Sequence, residues 1–288
     1  ARGDAGARPI LFEGVDNDAH GSVPARRLAT RRLPAAVALP RYGMGFDTVN
    51  SRFREGASTE KDAVMADKGL NDDFNALVTL HTAAMDWQQS PSPSVWRKRL
   101  EHSGPPESGR VTAVVRYDAN SEFPGHGHPE GEEIFVLEGT FSDEHGEYPA
   151  GTFLLNPEGF SHAPFSEEGC VLFVKLRQYP GTGRHHVNID TTAGTWNPGR
   201  YPGLSSMPLY SEDGHPESIR LVRFDAGAKV DFDDHTEGEE IFVVEGDVTD
   251  EHGSCEAGTW VRYPVGSNHA PSSKNGCILY VKTGHLPI

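Results

Sequence analysis

From about residue 80 onward, apolar positions fall in short runs rich in Val, Ile, Leu and Phe, each cut off by Gly, Pro, Asn or Asp. Runs of this length, bounded by turn residues, predict β-strands rather than helices. The expected strands are Val111–Tyr117, Glu133–Leu137, Thr152–Leu155 and Val171–Leu176, followed by Ile219–Phe224, Glu240–Val244, Thr259–Arg262 and Ile278–Lys282. Asp143-Glu-His-Gly146 and Asn156-Pro-Glu-Gly159 read as turns between them. No long helical period intervenes, so the pattern predicts an antiparallel sandwich or barrel, formed twice. Before it, residues 58–80 carry a weak helical pattern, interrupted at Gly69.

The two sets of strands are copies. Gly131-Glu-Glu-Ile-Phe-Val-Leu-Glu-Gly139 returns 107 residues later as Gly238-Glu-Glu-Ile-Phe-Val-Val-Glu-Gly246, with eight of nine residues identical. The same offset relates Asp143–Gly146 to Asp250–Gly253, His162-Ala-Pro164 to His269-Ala-Pro271, and Gly169-Cys170 to Gly276-Cys277. An ungapped internal duplication means two copies of one structural unit. The expected organisation is an N-terminal extension over 1–78, a first barrel over 79–180, and a Gly/Pro-rich connector with a second barrel over 181–288. Trp87 and Trp196 open the two repeats and are expected to pack in the same way.

Charge narrows the partners. The 288 residues carry a formal net charge of −16, which argues against nucleic acid or an anionic membrane as partner of the whole molecule. Residues 1–55 are the exception, with nine Arg against six acids. Within them, Ala25-Arg-Arg-Leu-Ala-Thr-Arg-Arg-Leu-Pro34 has the composition of an organelle transit segment. The alternatives are a solvated tail, or an arm that orders on a protein partner. With no apolar run of about 20 residues, the expectation is a soluble intracellular protein of the cytoplasm or an organelle interior. The three cysteines form no disulfide framework. Cys170 and Cys277, inside apolar runs, are expected buried, and Cys255 exposed.

His126-Gly-His128 sets two imidazoles two residues apart, Glu132 follows, and His162 lies on a distant strand. On a strand, positions two apart share a face. Three imidazoles and a carboxylate converging in a small barrel suit Zn, Fe(II), Mn, Ni or Cu. Alternation turns Glu133 and Glu240 to the opposite face, as structural or solvated groups. A strand beginning one residue later would make Glu133 the ligand instead. His145 and His252 read as hydrogen-bonded turn residues, and His185-His186 as a solvated dipeptide.

These positions resemble the cupin superfamily. Its first motif, His-x-His, a short spacer, Glu and a later Gly, is met by His126, His128, Glu132 and Gly139. Its second, Gly, Pro-x-Gly and His, is met by Gly151, Pro157, Gly159 and His162, and again by Gly258, Pro264, Gly266 and His269. Thr79–Trp87, Ser90-Pro-Ser-Pro93, Phe141–Thr152 and Ser166-Glu-Glu-Gly-Cys170 are similar to the ChrR-type cupin. That resemblance implies a divalent metal, with zinc expected and iron or manganese as alternatives, held by His126, His128, Glu132 and His162. The second copy departs at one ligand, leaving Asp233, His235, Glu239 and His269 as a second metal set, either functional with more oxygen ligation or degenerate. The founding member's anti-sigma role rests on a His/Cys domain, and residues 1–80 contain no Cys.

Three functions follow from this reading. The first is a metal-binding sensor or small-molecule-binding bicupin. The second is a non-haem Fe(II) dioxygenase or isomerase, whose three His and one Glu leave open positions on an octahedral ion, with Phe135, Phe153, Leu155 and Phe173 as candidate cavity lining. The third is an accessory subunit held by its N-terminal arm. One fold hosts all three, so the fold alone does not choose.

Overall fold

The computed structural model describes residues 69–105 and 108–287; the basic arm and the 58–68 part of the expected helix lie outside them. Each predicted strand forms, and each repeat folds into a double-stranded β-helix barrel. The 72–80 segment is not helical: a turn at 74–76 leads into strand Val78–His81. Val78, Thr79 and Leu80 alternate between half-buried and exposed there, and the β-branched residues favour a strand once a sheet edge is offered.

That edge belongs to the other barrel. Val78–His81 pairs antiparallel with Thr259–Tyr263 of the second sheet, and Val187–Asp190 pairs with Thr152–Asn156 of the first. The two barrels therefore exchange their opening strands. Just beyond each exchanged strand a threonine locks the crossing: Thr82 Oγ1 donates to the Gly258 carbonyl at 2.7 Å, and Thr191 Oγ1 to the Gly151 carbonyl at 2.6 Å.

The longest strand of each repeat, Glu132–Asp143 and Glu239–Asp250, carries a β-bulge at Leu137 and at Val244, where the register shifts. One extra residue inverts the alternation beyond it. Glu132 and Ile134 before the bulge, and Phe141 after it, therefore face the same barrel interior. The bend is completed at Gly139, whose φ is +70°; a Cβ there would lie 2.0 Å from the Gly169 carbonyl oxygen, and Gly246 repeats the arrangement. Only glycine accepts both constraints.

Outside the barrel interiors, the two large sheets face each other across an apolar seam. Phe173 stacks on Phe242 at 4.6 Å between centroids, and Phe135 meets Tyr280 at 5.5 Å. The 107-residue offset converts one contact into the other, so the seam has pseudo-two-fold symmetry. Trp260, Phe153 and Leu155 fill it, each fully buried large side chain contributing about 1.5–3 kcal/mol. Glu133 and Glu240 lie in this seam, not in solvent, and are fully buried with Lys282 and Lys175 as partners. Trp87 and Trp196 do pack alike, under Arg116 at 4.8 Å and Arg223 at 4.5 Å. All three cysteines are buried, Cys255 included, since it points into the second barrel's core. Among the described residues no helix is long and apolar enough to cross a membrane.

Candidate metal centre

In the first barrel a two-residue ladder does the positioning. His126–Gly127 pairs with Ser161–His162, setting His126 directly opposite His162, where side chains on one face come within contact distance. His128 lies just past that strand, its backbone N–H donating to the Phe160 carbonyl at 3.0 Å. The ligating atoms of the three imidazoles lie within 4.8 Å of one another, and the Nε2 atoms of His128 and His162 are 2.9 Å apart. Glu132 Oε2 sits 3.3 Å from His128 Nε2 and 3.6 Å from His162 Nε2. His126 Nδ1 faces the Pro124 carbonyl at 2.8 Å, which leaves Nε2 for a ligand.

Two supporting residues carry no ligand signal in the sequence. Asp143 Oδ2 is 3.0 Å from His162 Nδ1, and Asn156 Nδ2 donates to Glu132 Oε2 at 3.0 Å. Such partners fix the ring orientation and raise ligand basicity. Asp143 sits in the segment read as a turn, and what betrays it is its recurrence as Asp250 in the duplication. Burial lowers His128 to about 4, aided by His126 and Arg177, and lowers His162 against the pull of Glu132 and Asp143. Both rings are thus neutral at physiological pH, the form that ligates a metal. Burial raises Glu132, which favours a cation that restores its charge.

The second barrel repeats the ladder with Asp233 opposite His269. Asp233, His235, Glu239 and His269 offer ligand atoms within 4.8 Å of one another. His269 Nδ1 lies 2.9 Å from Asp250 Oδ2, and His235 Nε2 is buried without a partner among the described residues. Here, however, Arg220 reaches Glu239 Oε2 at 3.4 Å, and Tyr263 takes the position of Asn156, its ring 4.2 Å from that of His269. Burial pushes Glu239 up to about 7 despite Arg220. Both donor sets fit a divalent ion, the second with more oxygen and a competing cation beside it.

The first centre opens into a cavity of about 290 Å³. Its walls include Val95, Val115, Phe123, Ile134, Leu172 and Val174. Phe135, Phe153, Leu155 and Phe173, read from the sequence as its lining, instead fill the seam between barrels. Arg97, Arg99 and Arg177 also line the cavity, and Glu132 is its one carboxylate among the described residues. A second cavity of about 260 Å³ adjoins Asp233, Glu239 and His269. His145 and His252 stand in Asp-capped turns, and His185 is exposed against Glu212. His186 stacks on Phe160 at 5.0 Å.

The ChrR cupin-like domain family matches the chain twice, over residues 75–180 and 184–287. No curated protein sequence matches it significantly. Among solved structures, a proposed dioxygenase from Nostoc punctiforme aligns with a TM-score of 0.64 at 12% identity, covering 74% of this chain and 84% of the other. Ylba from E. coli aligns at 0.58 and 16% identity, over 80% of this chain and 99% of its own. The bacterial pirin YhhW from Escherichia coli, in complex with nickel(II), aligns at 0.54 and 14% identity, over 74% and 100%. At these identities the likeness is one of fold.

Proposed function

Because the chain belongs to the ChrR cupin-like family, we propose that it is a divalent-metal-binding bicupin that captures a small molecule beside the ion in its first barrel. His126, His128, Glu132 and His162 would hold the ion, zinc first and iron or manganese as alternatives, with Asp143 and Asn156 orienting them. The observation that carries this reading is the cavity of about 290 Å³ that shares His126, His128, Glu132 and His162 in its wall. A closed structural site has no use for such a space, whereas a binding site does. A bound ion would polarise an oxygen-bearing ligand as a Lewis acid. The protein's own share is to hold that ligand against apolar walls and keep water away. The Asp233 set is the weaker site in this proposal, because Arg220 pairs with Glu239 and competes with an ion for it.

The test is elemental analysis of the native protein beside His128→Ala. One zinc per chain, lost in the variant, supports the reading, and a metal-free native protein sinks it. Iron that turns over with oxygen and a small diketone would favour the dioxygenase alternative instead. Against that alternative stands the lining itself, where no carboxylate besides Glu132 is present among the described residues to act as a separate base. Residues 1–55 remain a proposed partner-binding arm, which limited proteolysis with and without a co-purifying partner would test.

A further inference from the structure

We infer that the first-barrel cavity is built for a small organic carboxylate, whose charge is taken by Arg99 and Arg177 while its body lies against the apolar wall; this deepens the small-molecule reading above. Val95, Arg97 and Arg99 alternate along strand Val95–Ser103 and all three line the cavity. Arg97 and Arg99 stand opposite Val115 and Ala113 across the ladder. Arg177 enters from the end of strand Cys170–Leu176. The wall sets Arg99 and Arg177 against a single carboxylate, Glu132. Arg99 and Arg177 make no ion pair among the described residues, and Glu132 is engaged by Asn156 and two imidazoles. Both arginine side chains are half-buried, within reach of a ligand in the cavity, and guanidinium groups match a carboxylate bidentately.

Arg177 bears a conformational cost for its place. Its φ is +58°, a left-handed backbone that disfavours a side chain, and the equivalent residue of the second copy is Gly284, at φ +74°. Strain of about 1–3 kcal/mol is retained where a side chain is used. The second copy has also dropped the other two arginines. By its ladder register, Ser206 opposite Val222 and Pro208 opposite Arg220 stand where the first copy has Arg97 opposite Val115 and Arg99 opposite Ala113. The duplication thus keeps the strands, the bulge and the seam, and changes the cavity wall. In a chain of net charge −16, a cationic pocket selects anions by local field rather than by overall attraction.

Benzoate and its neutral isostere benzamide, titrated calorimetrically into the metal-loaded full chain, test this. We expect benzoate to bind at least about tenfold more tightly than benzamide, one charge-assisted contact being worth about that much. Arg99→Met and Arg177→Met should each weaken benzoate about tenfold and leave benzamide unchanged. Arg200→Met, in the second cavity, should change neither, and thermal unfolding confirms that each variant is folded. Equal binding of the two probes, no saturable benzoate binding, or an Arg200→Met effect as large as the others would overturn the inference. Metal content is measured on the same samples. A metal-free protein that still prefers benzoate through Arg99 and Arg177 would remove the metal reading and leave the carboxylate site standing.

Discussion

Lys282 Nζ lies 2.7 Å from Glu133 Oε2 across the seam between the barrels, and the duplication-related pair, Lys175 with Glu240, crosses the same seam in the opposite direction. Tyr280 donates to Glu133 Oε1 at 2.5 Å, and Lys282 Nζ is 2.8 Å from Tyr179 Oη. Burial alone would raise Glu133, but Lys282 and Lys175 hold it below the usual carboxylate range. Because all four charged groups are buried, the network fixes how one barrel sits on the other.

Removing one partner of this network should therefore be severe. Glu133→Gln is expected to destabilise the protein by about 3–5 kcal/mol, since it strands the buried Lys282 ammonium. The double variant Glu133→Leu with Lys282→Met should recover most of that loss. Chemical denaturation of the three proteins checks both statements, and additive losses would contradict the account.

His285 gives the seam an acid limit. Its ring lies 3.2 Å from Glu240, and burial lowers it to about 3 although Glu240 pulls the other way. An unfolded histidine takes a proton below about pH 6.5, while the folded one refuses it until about pH 3. The unfolded state thus binds more protons in that window, and stability falls as pH falls through it, by at most about 1.4 kcal/mol per pH unit. His285→Gln should flatten the decline between pH 6.5 and 4.5. A variant whose stability curve runs parallel to the native one would show that other groups cause the decline.

Asp143 should act on the metal without touching it. Asp143→Asn keeps the size of the side chain but weakens its hold on His162 Nδ1, 3.0 Å away. Metal affinity, read by competition with a chromogenic chelator, is expected to drop by about 10–100-fold. The matching change in the second barrel, Asp250→Asn, should leave the first ion in place.

The strand exchange predicts where a truncation acts. Deleting residues 69–81 leaves the Thr259–Tyr263 edge unpaired, strips Val78 and Leu80 from the seam and removes the Leu70 bridge to His102 of the first barrel. Hydrogen exchange should increase in the second barrel, while the His126 ladder of the first stays protected. Faster exchange confined to the first barrel would contradict the pairing.

What the sequence by itself determined was periodic and repetitive. Short apolar runs bounded by turn residues set the strands, the 107-residue offset set two equal units, and His126-Gly-His128 with Glu132 and His162 marked a candidate metal set. These are local or self-referential signals, legible without knowing what packs on what. The tertiary structure decided which of two faces is the inside. Ile134, Leu154, Leu172 and Val174 alternate with Phe135, Phe153, Leu155 and Phe173, and both sets are buried, one in the barrel and one in the seam. Alternation separates two such faces but cannot label them when both are apolar. For the same reason Glu133 is buried in the seam, where it cannot reach the centre that Glu132 lines. The bulge at Leu137 then turns Asp143 toward His162, and the exchanged edge draws Val78–His81 into a strand. Register and a partner's unpaired edge are properties of the assembled sheets, absent from any window of sequence.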